Sequence, residues 1–370
     1  MTPKELPSGR LLSLDAYRGL TIAGMILVNN PGNWSHVYAP LRHAEWHGWT
    51  PTDLVFPFFL FIVGVAIPLS FGKRLERGDS RGGLLRHIVR RSAILFGLGL
   101  FLAAFPRFEL GSLRIMGVLQ RIGLVYLVAA PAFLFLGRRS RALLSVVLLL
   151  GYWALLTLVP VPGFGAGDLS PEGNLGAYLD RMILGDRLWQ GTWDPEGLLS
   201  TLPAVVTTLL GIFTGEWLRG SRNPTEKVVG LLAAGVVGIV AGLAWDLVFP
   251  INKNIWTSSY VLFTAGMGLL LLGSFFWTME VKGLKTWAHP FVVYGMNAIA
   301  VYVASGLLAR LMGIIRVGQD EVSLKGWIYG NLFEPWAGPL NGSLFFALSY
   351  VGFWLGMMWI LHRKRIFIKI

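Results

Sequence analysis

Residues 41–64 read LRHAEWHGWTPTDLVFPFFLFIVG. Two histidines, two carboxylates and two tryptophans stand directly before an almost wholly apolar run. Pro51 and Asp53 open that run, and its length suits a helix that enters a membrane. The polar residues then lie at the wet rim of a span. Whether the rim is merely structural or a reaction centre is decided by the rest of the chain.

Working outward, similar apolar runs recur across all 370 residues, of which 54% are hydrophobic and only 14% charged. Soluble chains carry roughly a quarter charged residues. The mean hydropathy is +0.59. Apolar segments of about 20 residues fall at 12–30, 51–71, 88–105, 115–136, 143–160, 200–218, 228–248, 257–278, 289–310 and 341–361. Helices close their own backbone hydrogen bonds in lipid, whereas isolated strands do not. The reading is an all-α, polytopic transmembrane helical bundle of about ten spans. Eleven is the alternative, because 311–340 is semi-apolar and has room for a short interfacial or re-entrant helix. The first segment, LLSLDAYRGLTIAGMILV, is interrupted by Asp15 and Arg18 and reads as a permanent helix rather than a cleaved signal.

The net charge of +12 and pI near 10.1 raise nucleic acid as a partner. The basic residues instead collect in short connections such as 73–91, 138–141 and 219–227, in the tail, including Lys369, and at the amino terminus, with Lys4 and Arg10. That is the positive-inside pattern, so both termini are expected in the cytoplasm and no nucleic acid is expected. The connections 41–51 and 161–199 then lie outside. The stretch VPVPGFGAGDLSPEGNLG within the second reads as a turning loop. Gly235, Gly238, Gly242 and Gly266 permit close helix packing. With no cysteine, disulfides and thiolate chemistry are excluded.

Three histidines, His36, His43 and His47, collect at the external edge, where imidazole can move protons near neutral pH. His43 and His47 share a face if their segment is helical. Asp53 is placed to cap the helix that follows. On this local pattern a hydrogen-bonded loop and a catalytic centre both remain open. HAEWH is not HExxH, and no metal is expected. Asn29 and Asn30 close the first helix in VNNPGN, as caps or as groups that orient a histidine or hold an oxyanion. Ionisable groups in spans, Asp15, Arg18 and Arg121 beside Gln120, suit internal pairing or a ligand path. Asn252, Lys253, Trp256 and Ser259 form another polar and aromatic edge, with Asp246 a partner in reach of Lys253. Asn297 interrupts the span GMNAIAVY.

Six long segments then carry a resemblance: SLDAYRGLTIAGMILVNNPG, LRHAEWHGWTPTDLVFPFFLFIVG, GVLQRIGLVYL, EGLLSTLPAVVTTLLGIFTG, INKNIWTSSYVLFTAG and PFVVYGMNAIAVY. Together they resemble the heparan-alpha-glucosaminide N-acetyltransferase-like family of membrane acyltransferases over nearly the whole chain. The resemblance implies a transmembrane acyltransferase fold in one integral membrane domain, 1–370. It implies transfer of an acetyl group from acetyl-CoA to the amino group of a glucosamine-type sugar. The family's catalytic histidine matches His43 and its functional asparagine matches Asn29, with Asp53 the third residue of the candidate catalytic set. His47 stands where the family carries asparagine. Arg18, Asp15, Gln120, Arg121, Lys253, Trp256, Ser259 and Asn297 are the candidates for the donor path. A bacterial inner membrane, an envelope glycan acceptor, surrounding lipid and a homodimer are the expected setting. Direct transfer is preferred to an acetyl-histidine route. A transporter of a small envelope metabolite is the competing class.

Overall fold

The computed structural model describes residues 11–368, so Lys4, Arg10 and Lys369 lie outside the described residues. Thirteen α-helices make the fold: α1 Leu12–Asn29, α2 Val55–Glu76, α3 Arg81–Ala104, α4 Val118–Phe135, α5 Arg138–Leu158, α6 Leu175–Leu184, α7 Thr201–Arg219, α8 Pro224–Asp246, α9 Ser258–Phe276, α10 His289–Met296, α11 Ala298–Ile314, α12 Leu324–Ile328 and α13 Glu334–Arg363. The described strands are a two-residue pair, Arg316–Val317 with Val322–Ser323.

Each of the ten apolar segments is helical, but ten is not the count that length and composition support. Among the described residues eight helices are long and apolar enough to cross a membrane. They become nine when Thr286–Met296 and Ala298–Ile314, bent by 72°, are taken as one span. The helix outside that count is α1, whose length of 18 residues suffices but whose Asp15 and Arg18 dilute its apolar character. The segment 311–340 supplies no span of its own. It folds as the strand pair, α12 and the start of α13, with a kink at Gly338.

Local chemistry sets the helix starts. Ser80 caps α3 through Gly83 N at 3.1 Å, and Asn223 caps α8 through Glu226 N at 2.8 Å, with Pro224 in the first turn. Close packing sets the bundle's centre. A Cβ on Gly64 of α2 would lie 2.1 Å from Thr208 O, and one on Gly211 of α7 would lie 2.2 Å from Phe61 O. Those two helices therefore touch backbone to backbone. Gly242 and Gly266 do the same between α8 and α9, each leaving 2.6 Å for an added Cβ.

The outer helices show the opposite pattern. Leu143, Val146, Val147 and Leu150 on α5, and Val236, Val237 and Val240 on α8, are exposed. Continuous apolar faces of this kind belong in lipid, and the chain is an integral membrane protein. At one end of the bundle the connections before α2, before α7 and before α9 meet. Gly48 N donates to Ile251 O at 2.8 Å, and Trp46 Nε1 donates to Leu169 O at 2.8 Å. The quoted stretch 41–64 passes through this end.

Candidate active site

The segment around His43 and His47 is not helical, so the two rings do not share a helix face. It runs in bends and is pinned by Gly48, whose φ of 90° suits glycine and whose backbone bridges to Asn252. At Thr50 a capping box begins the next helix.

Asp53 is the hinge of this arrangement, with its side chain only 1% exposed. Oδ2 accepts from Ala44 N at 3.0 Å and Thr50 N at 3.0 Å, and the Thr50 hydroxyl beside it donates to Arg42 O at 2.6 Å. Oδ1 faces His43 Nδ1 at 2.6 Å. The residue is therefore a cap and a histidine partner at once. A carboxylate opposite Nδ1 requires that nitrogen to carry the proton, which leaves the lone pair on Nε2. The His43 side chain is 46% exposed.

Lys253 completes the group from the opposite connection. Its Nζ lies 2.9 Å from His43 Nδ1, 3.3 Å from Nε2 and 3.5 Å from Asp53 Oδ1. Its partner is thus not Asp246, whose Oδ1 accepts from Ile251 N at 2.6 Å. Burial pulls the Lys253 ammonium below the ordinary lysine range, while Asp53 and Glu196 favour its charged form. The turn that carries it is built on Asn252, whose Oδ1 accepts from Ile255 N at 3.1 Å and whose backbone N donates to Thr257 Oγ1 at 3.0 Å.

Behind Lys253 the wall is aromatic. Trp256 is fully buried at φ 50°, a strained backbone for a bulky residue, and is held by rings of Phe56 and Tyr260 at 5.2 Å each. Its Nε1 donates to Thr207 Oγ1 at 3.2 Å. Tyr260 donates its hydroxyl to Asp53 O at 2.5 Å. Arg121 lies over the Trp256 ring at 5.1 Å and donates through Nη2 to Gly197 O at 2.9 Å and to Ser200. Its neighbour Gln120 turns toward α3, where it fills the space beside Gly99.

The other expected residues have surroundings of their own. His47 accepts from Asn252 Nδ2 through its Nδ1 at 3.3 Å, and burial lowers its pKa while Asp246 pulls the other way. His36 sits against Leu340 and Ser343 of α13 rather than beside His43. Asn29 is exposed at the end of α1, and the buried amide there is Asn30, which donates to Ile26 O at 2.7 Å. Ser259 spends its hydroxyl on Phe249 O at 2.6 Å.

Asp15, Arg18 and Asn297 occupy the far end of α1. Arg18 pairs with Asp15 at 3.1 Å and reaches Gly295 O at 3.5 Å. Asn297 binds the backbone of Ile366 at 3.2 Å and of Ile368 at 2.8 Å. At about 1.5 Å of rise per residue, Arg18 and the end of α1 are separated by most of that helix's length.

The connection 161–199 contributes residues that the sequence did not single out. Arg114 pairs with Asp194 Oδ1 at 2.5 Å and Glu196 Oε2 at 2.5 Å. Asp180, buried in α6, accepts from Leu198 N at 2.8 Å. Burial, with Asp194 adding to it, pushes the Asp180 carboxyl up to about 6. The only trace of these residues in the sequence is acidic side chains in a Gly/Pro-rich connection. Arg114, the partner of Asp194 and Glu196, lies some eighty positions away from them.

A family profile described as "Heparan-alpha-glucosaminide N-acetyltransferase, catalytic" matches residues 10–249. The protein named heparan-alpha-glucosaminide N-acetyltransferase from Homo sapiens is 31% identical over 98% of this chain and 60% of its own length. The protein of the same name from Mus musculus is 32% identical over 98% of this chain and 61% of its own length. The chain thus spans about three fifths of these relatives. Matched through most of its helices and through the segment that carries His43 and Asp53, the chain belongs to the heparan-alpha-glucosaminide N-acetyltransferase catalytic family.

Proposed function

We propose that this chain transfers an acetyl group from acetyl-CoA to the amino group of a glucosamine-type sugar, with His43 as general base and Asp53 as its orienting partner. The contact of 2.6 Å between His43 Nδ1 and Asp53 Oδ1 carries the reading. It frees Nε2 on the exposed edge of the ring to take the proton of an attacking amine. Both relatives are named as N-acetyltransferases of a glucosaminide, which supports the same acceptor class here.

We place the His43 end outside and both termini in the cytoplasm of a bacterial inner membrane, because the opposite connections hold Lys73, Arg74, Arg138, Arg139 and Arg219. Acetyl-CoA is a long molecule with a thioester at one end and an anionic nucleotide at the other. Lys253, Trp256 and Arg121 stand beside His43 and suit the thioester end, whereas Arg18 at the far end of α1 suits the other. The acceptor is an amino sugar of an envelope glycan, and the working unit is a homodimer in lipid.

The test is a mass-resolved reaction in reconstituted membranes with labelled acetyl-CoA and a panel of amino sugars. Wild type is expected to yield an N-acetylated sugar, and His43→Ala is expected to lose at least about 100-fold in kcat. A fully active His43→Ala chain would overturn the base assignment. Uphill accumulation of unmodified sugar with no labelled product would replace the enzyme with a transporter. Label retained on the His43 peptide after rapid quenching would replace direct transfer with an acetyl-histidine route.

A further inference from the structure

Lys253 is placed in a way that an ordinary ion pair does not explain. Asp53 already takes two backbone donors on Oδ2 and the His43 Nδ1 proton on Oδ1. It does not need the ammonium to be satisfied. The ammonium stands 3.5 Å from Oδ1 and closer to the imidazole, at 2.9 Å from Nδ1 and 3.3 Å from Nε2. Nδ1 carries the proton that it gives to Asp53, so it has no lone pair for Lys253. An ammonium has three donors, and the acceptors in reach are Nε2 at 3.3 Å and Oδ1 at 3.5 Å. At least one donor remains at the ring edge, where a substrate must approach Nε2.

We infer that Lys253 is a catalytic residue whose ammonium holds the thioester carbonyl oxygen while negative charge develops on it. The inference rests on the acetyl-transfer reading above and adds a role to it. The amine nitrogen forms a bond to the thioester carbon, the carbonyl π electrons move to oxygen, and Lys253 N–H donates to that oxygen. His43 Nε2 takes the amine proton. Collapse of the intermediate restores the carbonyl and breaks the carbon–sulfur bond, and the departing thiolate takes the proton from His43 Nε2. Atoms and charge balance with the acyl donor and the amine alone.

The surroundings suit this role. The Lys253 side chain is only 14% exposed, so its charge is poorly screened by water. Its burial, with the nearby Arg121, disfavours its charge, and Asp53 and Glu196 favour the charged form. Its position is fixed by the Asn252 turn and by the strained Trp256 behind it. The mobile tip of a free lysine would have to be ordered at the moment of reaction, whereas this one is already held.

The chain has no cysteine, which makes a direct test available. Lys253→Cys places the sole thiol in the protein, and alkylation with bromoethylamine rebuilds an ammonium at nearly the same reach. Lys253→Cys is expected to lose about 100- to 1,000-fold in kcat, with acetyl-CoA binding changed by less than about threefold. Aminoethylation is expected to restore at least about tenfold, and methylation of the same thiol to restore nothing. Lys253→Arg is measured beside it, so that the charge is tested even if the thiol-bearing chain does not fold. Arginine activity within about tenfold of wild type supports the role, and a loss equal to that of His43→Ala overturns it. Unchanged kcat in Lys253→Cys, or recovery on methylation as on aminoethylation, also overturns it. Both leave the His43 base reading standing, whereas an inactive wild type removes that reading and this one together.

Discussion

Asp53 divides its carboxylate between two tasks, and a single substitution separates them. In Asp53→Asn, one side of the amide still accepts backbone donors at the start of α2, but an N–H facing His43 Nδ1 demands the opposite tautomer. The lone pair then sits on Nδ1 and Nε2 is blocked by its proton. We expect kcat to fall by about 100- to 10,000-fold while acetyl-CoA binding is retained, measured as labelled acetyl transfer and equilibrium binding on the same preparation. The sequence made His43 and Asp53 visible because an imidazole and a carboxylate stand ten positions apart at the mouth of an apolar run. It did not tell the cap from the catalytic partner, because each task uses a different oxygen of one side chain. Lys253 was visible as a basic residue, but its partner is chosen by a turn that only the fold shows. Arg114 and Glu196 were hidden by their distance along the chain.

The elements that position these residues depend on how closely α2 and α7 approach. Gly211 is buried against the α2 backbone, and a Cβ there would lie 2.2 Å from Phe61 O and 2.9 Å from Gly64 Cα. Backbone cannot swing aside as a flexible side chain can, so Gly211→Val must part the helices. We expect a loss of about 1–3 kcal/mol or more, read as a lower apparent thermal midpoint in detergent. Gly151, with nothing near its Cβ position, is the control and should tolerate alanine with little change. The small-residue seam between α8 and α9 was legible from Gly235, Gly238 and Gly242 at helical spacing on α8 and from Gly266 on α9. The α2–α7 contact was not singled out, because the four-residue spacing of Gly211 and Gly215 does not say which distant segment, here that of Gly64, they meet. The apparent helical spacing of His43 and His47 misled for a related reason. A four-residue interval places two rings on one face only if the chain between them is helical, and here it runs in bends up to the bridge from Gly48 to Asn252.

At the scale of the whole molecule, hydrophobic length located every long helix but did not fix the number of spans. Asp15 and Arg18 lower the apolar character of α1, and the break at Asn297 divides another segment into two bent pieces. What hydropathy could not foresee is that the polar connection 161–199 folds back over the candidate site and brings a charge cluster with it. That cluster makes the stability of the bundle depend on pH. Asp180 titrates at about 6 in the folded protein against an ordinary value of 3.8, because burial and Asp194 disfavour its charge more than Arg121 and Arg181 relieve it. Between those values the folded state binds more protons than the unfolded state, so this group makes stability fall as pH rises from about 4 through about 6. At about 1.4 kcal/mol per unit, its contribution is bounded at roughly 3 kcal/mol. Asp180→Asn keeps an acceptor for Leu198 N but cannot ionise. Its apparent thermal midpoint should exceed that of the wild type at pH 7.5, and the difference should shrink as pH falls toward 4.5. A wild-type and variant pair that stay parallel across that range would place the ionisation of Asp180 outside the stability of this fold.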